Sequence, residues 1–254
     1  MGEINKKGYT ACLDIIQKRS TVAWQRGIGV PFLGSGRSTE SGIDDGPFQG
    51  VPIGGFGAGS IGRTYRGDFA RWHLKPGFHY YFQAPACTFA VYQKPAQGEA
   101  IAYNLCANGS KGSFPVGGGT YYGLYPKAWF HYDYKRLPVA LICEQFSPIL
   151  PFNYKETSYP VGLFRWFAKN RTKEEVEVTI LFSWQNLLGW FSTPVNGKPN
   201  PNNWGNQNRS KRENLFVDNV KKEFVGILFE RNPNRPAQSE NEGQMAIGLL
   251  ASSG

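Results

Sequence analysis

Between Gly50 and Gly77 the chain reads GVPIGGFGAGSIGRTYRGDFARWHLKPG, and this stretch limits the fold more than any other. Gly50, Gly54, Gly55, Gly57, Gly59, Gly62 and Gly67 leave no room for a helix-length apolar repeat. Glycine at this density is needed where φ turns positive or where two backbones pass closer than a Cβ allows. Gly57, Gly59 and Gly62 also fit G-x-G-x-x-G, the dinucleotide-binding pattern. That pattern needs a hydrophobic strand before it, a helix opening at its third glycine and an acid about 20 residues on. Here Pro52 and Gly54-Gly55 stand where the strand should be, Arg63-Thr64-Tyr65-Arg66-Gly67 is a poor first helical turn, and Asp68 comes too early. The stretch reads as β-turns. Its second half alternates basic and aromatic residues: Arg63, Tyr65, Arg66, Phe69, Arg71 and Trp72. Residue type leaves two readings open, a folding keystone or the edge of a sugar site.

The rest of the chain is a series of short strands. With 31 Gly, 17 Pro, 15% aromatic and only 19% charged residues, the composition is that of a turn-punctuated β protein. Strands are expected at 79–83, 87–93, 100–105, 121–125, 127–134, 138–146, 161–167, 176–184, 214–218, 223–229 and 244–250. The clearest is 176–184, where Val176, Val178, Ile180, Phe182 and Trp184 alternate with Glu177, Thr179 and Ser183. Period two over nine residues is a half-buried antiparallel strand. With 161–167 and the polar turn 169–173 it reads as a hairpin. In 129–134, Phe130, Tyr132 and Tyr134 share one face and Trp129, His131 and Asp133 the other. A short helix is expected around 11–17, with Cys12, Ile15 and Ile16 as its apolar face. Residues 193–213 read as a long surface loop. The expectation is an all-β, antiparallel β-sandwich over 23–254, incomplete at its C-terminus because the last strand runs almost to the end. Residues 1–22 are an N-terminal extension.

Charge and motif content narrow the function classes. The formal net charge is +9, but the basic residues are spread and diluted by acids, so a solvated surface is expected and not a nucleic-acid groove. No apolar run is long enough to span a bilayer, and residues 1–7 lack the apolar core of a secretory signal. Lys6 stands where a myristoylation signal wants Ser or Thr. Cys12, Cys87, Cys106 and Cys143 are widely spaced and read as buried or reduced thiols. The sequons at Asn108, Asn170 and Asn208 then stay idle, and a cytoplasmic location follows. His73, His79 and His131 have no metal-ligand spacing, Asp44-Asp45 reads as a solvated turn, and Ser60 reads as a turn serine. Trp72, Trp129, Trp166, Trp184 and Trp190 are expected in the core, although any of them has the ring to stack on a sugar. Asp68, Asp133 and Glu144 are the acids in structured places, but sequence brings no two together as glycoside hydrolysis requires.

GVPIGGFGAGSIGR, RGDFARW and LKPG, followed in order by EQFSPILPFNYKETSYPVGLFRW at 144–166 and FSWQNLLGW at 182–190, resemble the N-terminal domain of glycoside hydrolase family 116. That family contains the β-glucosidases related to non-lysosomal glucosylceramidase, the bile-acid β-glucosidase. The resemblance runs from about Trp24 to the end of the chain. It implies a non-catalytic β-sandwich beside a C-terminal (α/α)6-barrel, in the same or a separate polypeptide, which carries a Glu nucleophile and an Asp acid/base. No catalytic residue of the family falls on this sequence, substrate-binding positions stay unassigned, and neither cofactor nor metal is expected. The implied substrates are terminal β-D-glucosides, reached through the barrel. The basic aromatic ribbon Arg63–Trp72 is expected at the domain interface. Peripheral membrane contact stays open. The alternative is a stand-alone carbohydrate-binding or scaffolding module without turnover.

Overall fold

The computed structural model describes residues 6–31, 50–75, 78–81, 83–187, 194–195, 198–199, 213–216, 224–229 and 244–250. Asp44-Asp45, Trp190, Asn208 and most of the expected loop 193–213 lie outside them. The chain forms two compact units, Met1–Ser183 and Trp184–Gly254.

Among the described residues of the first unit, the alternation of small turns and β-formers gives twelve strands. They are β1 (Trp24–Gly27), β2 (Pro52–Ile53), β3 (Ser60–Arg63), β4 (Phe69–Lys75), β5 (Phe78–Tyr81) and β6 (Thr88–Pro95), then β7 (Ile101–Asn104), β8 (Thr120–Leu124), β9 (Lys127–Tyr132), β10 (Val139–Phe146), β11 (Leu163–Asn170) and β12 (Val176–Ser183). Their ladders are antiparallel. One sheet has the order β1-β8-β9-β10-β11, a second β2-β3-β4-β5 and a third β12-β6-β7. The fold is an all-β, sandwich-like arrangement without a closed barrel.

Aromatic rings from all three sheets meet in its interior. Phe89 of β6 stacks on Phe182 of β12 at 4.2 Å and meets Phe164 and Trp166 of β11 edge-on, at 5.0 and 5.2 Å. Phe69 of β4 closes the group at 6.0–6.2 Å from Phe89, Phe164 and Phe182. Such contacts add to the area term that drives burial.

Two expectations change here. Strands β11 and β12 do not form a hairpin. β11 pairs with β10, and β12 pairs with β6 in another sheet. The polar link between them is a corner. The Arg171 N–H donates to Pro138 O at 2.9 Å, and its guanidinium caps the carbonyls of Asp133, Tyr134 and Leu137. Asn170 Nδ2 donates to Glu174 O at 2.7 Å, which fixes the bend from within. A chain tied back to the preceding turn in this way leaves one sheet and enters the other. The alternation itself stands: β12 is half-buried at Val176, Val178, Ile180 and Phe182 and exposed at Glu177, Thr179 and Leu181.

The N-terminal helix is also longer than expected. α1 spans Lys6–Arg19, with Lys18 and Arg19 in the last turn, where the helix dipole favours positive charge. Tyr9, Cys12 and Ile16 are its buried residues, packed with Trp129, Ala140 and Ile142 on the outer face of the five-stranded sheet. Ile15 points away and is 45% exposed. Positions 9, 12 and 16 lie on one helical stripe that 15 does not share. β9 is therefore covered on both faces, by α1 over Trp129 and by the interior over Phe130 and Tyr132.

In the second unit, short strands β13 (Pro194–Val195) and β14 (Lys198–Pro199) pair antiparallel. β15 (Glu213–Phe216), β16 (Phe224–Phe229) and β17 (Met245–Leu250) form an antiparallel sheet in that order.

Candidate functional site

Of the three acids expected in structured places, Asp68 and Glu144 are held by their own partners and Asp133 is exposed. Asp68 is buried in the turn before β4, where it accepts hydrogen bonds from the Thr64 hydroxyl and from Gln83 Nε2 at 2.6 Å. Glu144, on the outer face of the five-stranded sheet, is also buried. Its Oε1 accepts from Lys127 Nζ at 2.9 Å and Trp129 Nε1 at 3.2 Å, and its Oε2 pairs with Arg165 at 3.2 Å. Asp133 is exposed at the end of β9. None has another carboxylate among these bonding partners. Among the described residues, no group of three or more His, Cys, Asp or Glu is gathered to hold a metal.

The glycine-rich stretch is a β-hairpin and not a nucleotide loop. Pro52 pairs with Gly62 and Ile53 with Ile61, so the third glycine of the apparent motif lies inside β3. Ser60 also belongs to β3 and pairs with His73, which excludes a strand-to-helix elbow. Both reasons for glycine apply. Gly54, Gly57, Gly59 and Gly67 have positive φ, and a Cβ on Gly50 would lie 1.9 Å from Arg63 O.

The basic aromatic ribbon is an interior element, against the expectation of an interface. Arg63, Phe69 and Trp72 are completely buried and Tyr65 nearly so. Arg63 Nε donates to Gly67 O at 3.0 Å, one terminal nitrogen to Tyr132 Oη at 2.9 Å and the other to Cys143 Sγ at 3.5 Å. Its guanidinium lies 4.0 Å from the Phe130 centroid and 4.9 Å from that of Phe89. A guanidinium can be buried this way because its plane stacks on rings while its edge donates. Burial pushes the Cys143 thiol up to about 11, against the pull of Arg63, so it stays a neutral thiol. All four cysteines are buried and unbonded to one another, and burial also raises Cys12 and Cys106 to about 12. Cys12, Cys106 and Cys143 are therefore not thiolate nucleophiles.

Trp72 and Trp129 are core residues, as expected, while Trp166 and Trp184 are half-buried. His131 Nε2 lies 2.7 Å from Tyr9 Oη and joins α1 to the sheet. Burial lowers its pKa, as does Arg171, while Asp133 opposes them. His73 and His79 touch each other across β4 and β5, a contact that their spacing in sequence did not suggest.

The surface that sequence reasoning missed is formed by two loops, 54–58 and 147–162. Gly54 N–H donates to Ser147 Oγ at 2.7 Å, and Phe56 N–H to Thr157 O at 2.8 Å. A Cβ on Gly55 would meet Ser158 O at 2.3 Å, so only glycine lets the two backbones approach. The second loop is braced from within. Thr157 Oγ1 donates to Leu150 O at 3.0 Å and accepts from Leu150 N–H at 2.9 Å. Asn153 caps the short turn α2 (Tyr154–Thr157) through a bond from Glu156 N–H at 3.3 Å. On this rigid base the joined loops expose Phe152 (98%), Tyr154 (82%), Phe56 (66%), Leu150, Tyr159 and Val161. Phe152 also has φ of 62°, the only positive value at a non-glycine residue among those described. These aromatic rings are held outward on an ordered loop, and the positive φ at Phe152 is a strained backbone state for a non-glycine residue. The sequence signal was an aromatic segment bounded by Pro148, Pro151 and Pro160 with neither helical nor strand period.

These same loops carry the sequence resemblance, and a family model confirms it. Residues 50–253 match the model described as beta-glucosidase 2, glycosyl-hydrolase family 116 N-term. The match begins at the glycine hairpin and not near Trp24, and it covers most of the chain. The chain thus belongs to glycoside hydrolase family 116, as an N-terminal domain of that family.

Proposed function

We propose that this chain is the non-catalytic β-sandwich part of a β-glucosidase acting on terminal β-D-glucosides, and that it supports an (α/α)6-barrel catalytic domain. Membership of an N-terminal domain family implies a catalytic partner domain. The observation that carries the proposal is the exposed aromatic surface of Phe56, Phe152 and Tyr154 on hydrogen-bonded loops from two of the family-matching segments. In this reading the catalytic domain covers that surface, and the buried ribbon sets the angle at which the two loops meet. Glucosylceramide-type substrates and a cytoplasmic location belong to the same proposal, and the four unbonded, buried thiols fit a reducing compartment. No helix among the described residues is long and apolar enough to cross a membrane.

The test supplies the barrel of a family 116 enzyme in trans and measures co-purification and hydrolysis of an aryl β-glucoside. Association is expected, with loss of both readouts for a Phe152→Ser/Tyr154→Ser chain that still folds. Equal association by the variant would move the seat elsewhere.

One observation favours a second reading, a free-standing carbohydrate-binding module. The outer face of the three-stranded sheet has a shallow depression of about 350 Å³ lined by Ala90, Tyr92, Ala102, Asn104, Thr179 and Leu181. Saturable glucoside binding by the chain alone, lost in Tyr92→Ala, would support it over the first.

A further inference from the structure

We propose that His73 and His79 form a two-imidazole site for a divalent transition-metal ion of borderline softness, with Cu(II) the best fit. The inference is independent of the glycosidase reading and rests on the β4–β5 hairpin. Trp72 pairs with Tyr80 across that hairpin, and the register shifts between Trp72 and Lys75, at the irregularity where His73 and His79 come into contact. His79 is exposed and His73 half-buried, which leaves a path for an ion. His79 Nδ1 and His73 Nε2 are 2.9 Å apart, with the rings edge-on at 4.1 Å between centroids.

That separation is what a metal needs. Metal–imidazole bonds are about 2.0–2.1 Å, so two cis nitrogens at a right angle sit about 2.9 Å apart and two tetrahedral ones about 3.3 Å apart. The right-angle case belongs to tetragonal Cu(II) or Ni(II), and imidazole suits both. Binding replaces the single hydrogen-bonded proton between the rings with the ion. That proton shifts through solvent to the outer nitrogen of the same ring, so both imidazoles stay neutral, small ring rotations turn both lone pairs inward, and water fills the remaining positions. Both ligands belong to paired strands, so little chain entropy is lost on chelation. The Arg71 charge opposes any incoming dication equally, so the preference for Cu(II) over Zn(II) rests on the affinity order of nitrogen ligands. Oxygen-seeking Mg(II) and Ca(II) have no ligand here.

The test titrates tag-free, full-length protein with Cu(II) at neutral pH, read by electron paramagnetic resonance and by thermal unfolding. One Cu(II) per chain is expected, with a tetragonal signal split by nitrogen and a raised unfolding temperature. His79→Ala, a change at an exposed position, should weaken uptake at least about tenfold, since even outer-shell losses act on that scale. His73→Ala should do the same, and Mg(II) should give no effect. Uptake that is unchanged in His79→Ala, or absent in the parent protein, overturns the proposal. Neither readout depends on a catalytic domain, so failure here leaves the glycosidase reading untouched.

Discussion

Two of the three segments that carry the family resemblance use their aromatic residues in opposite ways. Between 63 and 72 they go inward: Arg63, Phe69 and Trp72 have no exposed surface, and the cation lies among rings from β6 and β9. Between 150 and 161 they go outward, to the extent that Phe152 is 98% exposed. Both segments mix bulky aromatics with turn formers, although 63–72 holds three arginines and 150–161 only Lys155. Backbone context separates them. The first segment forms strands within a sheet whose inner face needs filling. The second is a proline-bounded loop whose hydrogen bonds are satisfied locally by Thr157 and Asn153, so its side chains are free of the core. The difference teaches that an aromatic run reports a packing duty or a contact duty only once the backbone's own bonds are known.

Substitutions should break this contrast in graded order. Trp72→Ala removes a fully buried ring and is expected to cost about 3–5 kcal/mol, read as a lowered denaturant midpoint. Full retention of that midpoint would mean the ribbon is not core. Gly50→Ala drives a methyl into the Arg63 carbonyl and should cost about 1–3 kcal/mol through backbone displacement, with the Arg63–Tyr132 contact disturbed.

A pH effect of intermediate size belongs to His131. Its pKa is lowered in the folded protein, so on acidification the unfolded chain takes up the proton first. Stability is therefore fully present above the ordinary histidine value of 6.5 and falls as pH drops below it towards the folded value. His73 adds a slope of the same sign. His131→Gln keeps a partner for Tyr9 and should flatten the thermal-midpoint profile in that window without abolishing the slope. An unchanged profile would show that the α1 junction does not titrate.

The smallest effect on stability is expected from Phe152→Asn. The residue is exposed, and asparagine tolerates positive φ better, so the change should stay within about 0.5 kcal/mol. Its mark should appear in self-association, which falls as the apolar surface is reduced. A large loss of stability would instead place Phe152 in the fold's own packing.

Much of the fold was legible in the sequence because β-strands repeat every two residues and glycine and proline mark their ends. Strands β6 to β12 and β15 to β17 fall close to their expected places. The glycines of 50–67 announced the φ and close-approach constraints that Gly54, Gly55 and Gly50 meet. The partner of each strand was not legible. Periodicity says which residues share a face but not which ladder receives them, and the pairings of β11 and β12 were fixed by a corner that Arg171 ties to carbonyls more than 30 positions earlier. The same limit explains α1, whose stripe was chosen by the surface of Trp129 and Ile142, and the neighbouring histidines 73 and 79, which needed a hairpin register to meet.

By itself, then, the sequence determined the fold class, the burial of the cysteines and membership of family 116. These depend on local stereochemistry, burial preference and ordered motifs. Only the tertiary structure decided that the basic aromatic ribbon faces inward and the proline-bounded loop outward. Side-chain direction depends on which sheet a backbone joins, and that is settled by hydrogen bonds between residues far apart in the chain.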